Sequence, residues 1–272
     1  MEPIIALPNF ISQPELLRDF ALEHKFTGVE WTFAPENLPV NGAPDKAETE
    51  RAIKILAPFE IRFHAALPRT EPGHEDQAEA QKAVDALTDA CRMTADLGGK
   101  YLTIHLGLGL DSTESLSWGR TVDRLTELRR LAGDLGVTLC LENLAWGWTS
   151  RPNLFEKIVR QTGVSVTLDI GHAQVCESIT SRCYDIDDFV VPHPHLVKGA
   201  HIYHEEHNDR HLPPSVPADV VDRLDMLWRL PDCNWWLLEL RDQADLVQTR
   251  LVLDRYIHNR LSLNGQYQIS DI

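Results

Sequence analysis

Eight times along the chain a short apolar or β-branched run gives way to a longer amphipathic one. The short runs are residues 4–7, 28–31, 61–66, 101–106, 137–142, 164–170, 197–203 and 235–240. Helix-like segments occupy residues 13–25, 47–57, 75–97, 118–135, 153–161, 218–230 and 245–261, with a short acidic piece near 185–190. Parallel neighbouring strands need crossover connections, usually helices. Eight strand-then-helix units in 272 residues therefore predict an α/β protein of one domain, a (β/α)8 barrel. Pro14, Pro152 and Pro217 stand at or just before helix starts, where a missing N–H costs nothing. Gly98–Gly99 and Gly136 end helices that precede strands. The barrel is expected over residues 1–263 and a polar tail over 264–272, with no linker or second domain.

Side chains alternate between the two faces of a strand. In residues 137–142, Val137, Leu139 and Leu141 share one face, while Thr138, Cys140 and Glu142 share the other. Residues 164–169 oppose Val164, Val166 and Leu168 to Ser165, Thr167 and Asp169. Tyr101, Thr103 and His105 oppose Leu102, Ile104 and Leu106, and Glu239 opposes Trp236, Leu238 and Leu240. The apolar face of each strand meets the helices and the other points into the barrel. His64, His105, Glu142, Asp169, His201 and Glu239 are thus expected inside, near strand C-terminal ends, where barrel enzymes build their sites. Three carboxylates crowded there repel one another and lose hydration. Few Lys or Arg residues occupy matching positions, Arg62 and Arg241 being the candidates, so bound divalent metal relieves the crowding best.

The densest run of such chemistry is residues 197–212, which carry His201, His204, His207, Asp209 and His211. Imidazole and carboxylate at this density point to zinc or manganese, although an exposed polar loop would read similarly. His204 and His207 either line a substrate cleft, replace a ligand or decorate the loop. Glu30 either contacts substrate or pairs with Arg62, and Trp146 and Trp148 either stack on a substrate ring or pack beneath their loop. Among these, Glu30, Trp146, His204 and Arg241 are the candidate substrate contacts. The net charge of −15 argues against duplex DNA as a partner, since such binding draws on Lys and Arg at phosphates. Five widely spaced cysteines, no signal peptide and no long apolar run lead to the expectation of free thiols in a cytoplasmic protein without a membrane segment.

The runs FHAAL, TIHLG, LENLAWG, LDIGHA, AHIYH, DRHLP and LELRD resemble the superfamily of xylose isomerase-like barrels, which includes endonuclease IV, over nearly the whole chain. The resemblance implies up to three divalent ions and nine ligands. His64, His105 and Glu142 would bind one ion. Asp169, His201 and Glu239 would bind a second with Glu142 bridging, and His172, Asp209 and His211 a third. Two departures stand out: Gly171 lies where endonuclease IV-type proteins usually carry Cys, and Leu212-Pro213-Pro214 replaces a Gly-rich turn.

Two enzymatic expectations follow. The leading one is metal-assisted hydrolysis of a phosphoester, with hydroxide generated at a multinuclear centre and Glu142, Glu239 and His172 as catalytic groups. The alternative is a sugar or sugar-phosphate isomerase or epimerase, using one ion held by Glu142, Asp169, His201 and Glu239. There the two glutamates pass a proton through an enediolate, and His172 touches a substrate hydroxyl. Both take a small sugar or phosphorylated substrate, and one to three Zn or Mn ions per chain. A non-catalytic metal- or sugar-binding module is the third class. The sequence leaves the oligomeric state open.

Overall fold

The computed structural model describes residues 2–33, 46–110, 112–208 and 210–267, with side chains described to Ser262. Eight parallel strands close into a barrel: β1 (Ile4–Pro8), β2 (Gly28–Thr32), β3 (Glu60–Ala65), β4 (Tyr101–Ile104), β5 (Thr138–Glu142), β6 (Ser165–Asp169), β7 (Val197–Ile202) and β10 (Trp235–Leu238). They neighbour one another in chain order, and β10 pairs with β1 to complete the ring. Helices α1 (Pro14–Glu23), α2 (Lys46–Ile55), α3 (Gln77–Asp96), α4 (Trp118–Asp134), α5 (Pro152–Thr162), α8 (Val221–Arg229) and α9 (Gln243–Tyr267) connect or follow the strands. The expected (β/α)8 barrel is borne out. α9 runs past residue 261 into the stretch expected as a tail. Among the described residues, no helix is long and apolar enough to cross a membrane. All five cysteines are free thiols.

Local chemistry sets the helix ends. Pro14 and Pro152 occupy first-turn positions, and Asp76 caps α3 by accepting the N–H groups of Ala78 and Glu79. Gly163 closes α5 at φ 67°, a left-handed conformation in which a Cβ would be strained.

Two apolar compartments result. The larger lies between strands and helices and includes Leu102, Ile104, Leu139, Leu141, Val166, Leu168, Phe155 and Trp236. A small one inside the barrel joins Ala6, Trp235 and Leu237. Arg62 lies 3.9 Å above the Tyr101 ring and 4.7 Å above the Trp235 ring. It donates to the Lys198 carbonyl and to Asn234 Oδ1. A Cβ at Gly28 would meet the Trp235 ring at 2.6 Å, so glycine makes room for the indole. With this filling, the barrel is a packed core whose polar groups collect at the C-terminal end.

The region after β6 departs from expectation. The DIGHA run forms α6 (Ile170–Val175), followed by α7 (Glu177–Thr180), and only Ile186–Phe189 of the acidic piece is a 3-10 helix. The run after β7 is a β-hairpin, β8 (Glu205–His207) with β9 (Arg210–Leu212), rather than a loop. Arg223 of α8 ties the two together, donating to the carbonyls of Ile170 and His204 at 2.9 and 2.7 Å.

Across the mouth, the buried carboxylate of Glu71 accepts the Gly107 N–H at 2.5 Å, and Arg69 N–H donates to the Leu108 carbonyl. Burial raises Glu71 from the ordinary 4.5 to about 7, opposed only in part by the Gly107 bond. Native protein therefore binds this proton more tightly than unfolded chain, and stability falls as pH rises through that interval. Glu71→Gln removes the penalty. Its free energy of unfolding should gain on wild type by about 1–3 kcal/mol between about pH 5 and about pH 8. Denaturant melts across that range check this, and a difference that does not change with pH would refute it.

Candidate metal centre

Six strands deliver the polar groups. Glu142 and Asp169 end β5 and β6, His64 and His201 lie near the ends of β3 and β7, and His105 and Glu239 come one residue after β4 and β10. Strand pairing sets Asp169 against His201 directly. Asn143 adds a clamp beyond the ladder: its Oδ1 accepts Asp169 N–H at 2.8 Å and its amide donates to the Asp169 carbonyl at 2.9 Å. Sequence reasoning gave Asn143 no role. A polar side chain at this point of the strand end signals that the backbone of Asp169 must be held.

Asp169 and His201 are wholly inaccessible to solvent, Glu142 nearly so, and the Glu239 side chain is 20% exposed. His201 Nδ1 lies 3.1 Å from Glu142 Oε1, 3.2 Å from Glu239 Oε2 and 3.9 Å from Asp169 Oδ2. One ligand atom from each of these four residues falls within 4.8 Å of the others. Glu142 Oε1, Asp169 Oδ2, His201 Nδ1 and Glu239 Oε2 are buried without a hydrogen-bond partner among the described residues. Orphaned buried charges and ring nitrogens are costly, and convergence on one point is what a cation would satisfy. Three carboxylate oxygens with one imidazole suit manganese, and also zinc.

Besides Glu30, His64 and His201, a set that shares His201 with the first group, two further groups adjoin it. His64 Nε2 and His105 Nε2 are 2.9 Å apart, and His105 Nε2 is 2.9 Å from Glu142 Oε2. Glu142 thus turns one oxygen to the four-residue group and the other to this histidine pair. The second is His172, Glu206 and His211. His172 Nδ1 is 2.9 Å from Glu206 Oε2, and its backbone N–H donates to Asp169 Oδ1 at 2.7 Å, which caps α6. His211 Nδ1 is 2.8 Å from the Glu239 carbonyl. Glu206 was missed because HEEH reads as loop polarity. The hairpin register, which pairs Glu206 with His211, brings it in. Asp209, the expected acidic partner here, lies outside the described residues.

The ion pairs set the charges. Burial alone would raise Glu142, but His201 and His105 hold it well below the carboxylate range. Glu239 is likewise pulled down against burial by His201 and His211. Asp169 is raised by burial, reinforced by Glu142 and Glu239 and offset in part by His172. His201 is driven up, against burial, by Glu142, Glu239 and Glu30.

A cleft of about 850 Å³ opens above the centre, lined by His105, Glu142, His172, Glu206, His211 and Glu239. Trp146 and Arg241 line it as well, whereas Trp148 packs on Trp118 at 5.2 Å. Two expectations need correction. His204 does not line the cleft, because its Nδ1 accepts from Arg223 Nη2 at 3.2 Å. Glu30 neither lines it nor pairs with Arg62. It is 1% exposed and faces His64 and His201, while Arg62 takes Glu60, Lys198 and Asn234.

The absence of Cys before His172 has a steric cause. A Cβ at Gly171 would lie 2.0 Å from the Tyr203 ring, which stacks on His211 with centroids 3.9 Å apart. Gly171→Ala is expected to cost about 1–3 kcal/mol of stability. In the double variant Gly171→Ala/Tyr203→Leu the losses should fall short of additive. Thermal melts of the three proteins test the coupling, and strict additivity would sink it.

A sequence profile of the family described as xylose isomerase-like TIM barrel matches residues 18–244. An uncharacterised protein of Methanocaldococcus jannaschii is 28% identical over 160 residues, 59% of this chain and 68% of that one. Among solved structures, a D-tagatose 3-epimerase-like protein superposes with TM-score 0.73 at 18% identity, covering 95% of this chain and 97% of that one. An L-ribulose 3-epimerase gives 0.71 at 15% identity, covering 100% and 99%. The 3-keto-D-glucoside 4-epimerase of E. coli gives 0.70 at 16% identity, covering 94% and 99%. Such low identities speak for the shared fold.

Proposed function

The chain belongs to the xylose isomerase-like TIM barrel family, and from that premise we propose that it is a divalent-metal-dependent isomerase or epimerase acting on a sugar or sugar derivative. The observation that carries this reading is the group Glu142, Asp169, His201 and Glu239. Its four orphaned atoms converge on one point, and its two glutamates line the cleft. The two epimerases and the epimerase-like protein of like fold support it. It replaces hydrolysis as the leading interpretation.

A divalent cation bound by these four residues would polarise a carbonyl and its neighbouring hydroxyl, acidifying the C–H bond between them. The remaining work falls to side chains. Glu142 and Glu239 both border the cleft and reach His201 Nδ1 to within 3.1 and 3.2 Å, so they are separate arms on one centre. One carboxylate takes the proton from carbon. The other returns one to the opposite face, which inverts that carbon, or to the adjacent carbon, which isomerises the sugar. His172 is held by Glu206 at Nδ1, and its Nε2, 3.8 Å from Asp169 Oδ2, would contact a substrate hydroxyl. Trp146 and the backbone at Gly109 border the cleft and limit water around the reacting carbon.

A second reading, phosphoester hydrolysis at a multinuclear centre, keeps one observation of its own. The groups His64–His105–Glu142 and His172–Glu206–His211 exceed what a mononuclear isomerase needs.

Two measurements separate them. Protein purified without added metal should contain about one ion per chain by elemental analysis, and it should incorporate solvent deuterium at carbon into a candidate ketose. Glu239→Gln should slow that exchange by about 10²–10⁴-fold while the protein stays folded. A content near three ions, with phosphoester cleavage and no exchange, would hand the site to the second reading.

A further inference from the structure

Glu30 is a buried carboxylate that the reaction above does not use. Its Oε1 lies 3.3 Å from His64 Nδ1 and 3.1 Å from His201 Nε2, and it has no other polar contact among the described residues. Its Oε2 accepts the indole N–H of Trp235 at 3.0 Å. The opposite nitrogens of the same two rings face the ligand groups. His64 Nε2 is 3.4 Å from Glu142 Oε2, and His201 Nδ1 is 3.1 Å from Glu142 Oε1. One side chain from β2 therefore backs a histidine of the adjacent β3 and another of the distant β7, while the floor of the barrel, through Trp235, holds that side chain in place.

We infer that Glu30 is a positioning residue that fixes the tautomer and ring orientation of His64 and His201 together, so that His201 presents its Nδ1 lone pair to the four-residue centre and His64 turns its Nε2 lone pair toward the far side of Glu142. The inference rests on the centre proposed above. An imidazole that gives one nitrogen to a cation carries its proton on the other. A carboxylate can only accept, so Oε1, 3.3 and 3.1 Å from the two rings, favours the proton on His64 Nδ1 and on His201 Nε2 even though neither contact has hydrogen-bond geometry. Carboxylate contact at the far nitrogen also strengthens the near one as a donor to metal. The shared oxygen faces both histidines, so its loss removes the carboxylate partner of both rings at once.

Glu30→Gln keeps the shape and reverses the chemistry. With the amide oxygen accepting from Trp235, its NH2 faces both rings and demands lone pairs from them. The protons then move to the nitrogens that face the metal. Isothermal titration of metal-free protein with zinc should show affinity about 10–100-fold weaker in this variant than in wild type. Imidazole 15N spectra of zinc-loaded wild type should show protons on His64 Nδ1 and His201 Nε2, a readout that bulk stability does not move. Wild type that fails to bind zinc would overturn the metal centre itself. Tight binding by wild type, with equal affinity in Glu30→Gln or with protons on His64 Nε2 and His201 Nδ1, would leave the centre standing and overturn the role of Glu30. Should the variant not fold, the wild-type spectrum alone decides.

Discussion

Four carboxylates, Glu30, Glu142, Asp169 and Glu239, meet at the end of this barrel with imidazoles as their near cationic partners. Arg62, the arginine inside the barrel, is spent one layer lower on carbonyls, an amide and two aromatic faces. Glu30, Glu142 and Glu239 keep their charge here with little contact with bulk water, which costs several kcal/mol per ion unless close partners or a cation offset it. Burial instead pushes Asp169 toward its neutral form. His201 stands at the middle of this arrangement, with Glu30 on one nitrogen and Glu142, Glu239 and Asp169 around the other. The rest of the architecture keeps those partners from drifting.

That requirement explains details which look unrelated along the chain. Asn143 clamps the backbone of Asp169, so the carboxylate cannot swing away from His201. The same carboxylate caps α6, which sets His172 at the cleft wall. Arg223 pins the start of α6 to the strand leading into the hairpin, and the hairpin sets Glu206 and His211 opposite His172. The Tyr203 ring fills the space between α6 and His211, and glycine at 171 is the consequence. The fold thus supplies a rigid ring of strand ends on one side of the cleft and a stapled hairpin on the other.

What the sequence made legible depends on periodicity. The eight strands were readable as short apolar or β-branched runs between amphipathic segments, and several of them pair a helix-facing apolar set with an inward polar one. The two-residue period then placed His64, His105, Glu142, Asp169, His201 and Glu239 at one end of the barrel. Residues whose position depends on contacts between distant segments were not readable. Glu30 has the strand period of an inward residue, but only the closed barrel shows that its partners are the rings of His64 and His201 rather than Arg62. Glu206 and His204 lie in a run whose composition fits loop and hairpin alike, and the strand pairing decides which side chain faces the cleft. His204 is drawn off by Arg223, which is 19 residues away and on another element.

Glu142 is where the chemical alternatives divide. Its Oε1 belongs to the four-residue group, and its Oε2 is shared by His105 and His64 at 2.9 and 3.4 Å. With a single cation on the Oε1 side, a proton on His105 Nε2 lies between Oε2 and the lone pair of His64 Nε2. It draws charge toward that oxygen and weakens Glu142 as a base relative to the more exposed Glu239. With a second cation on the Oε2 side, the same nitrogens must all be lone pairs, and Glu142 becomes a bridge with no freedom to accept a proton from carbon. The orientation of His64 Nε2 therefore bears on more than ligand count, because it decides whether Glu142 remains basic enough for proton transfer. Glu30 sets that orientation from behind the ring, so a residue that never touches substrate governs which chemistry the front of the site supports.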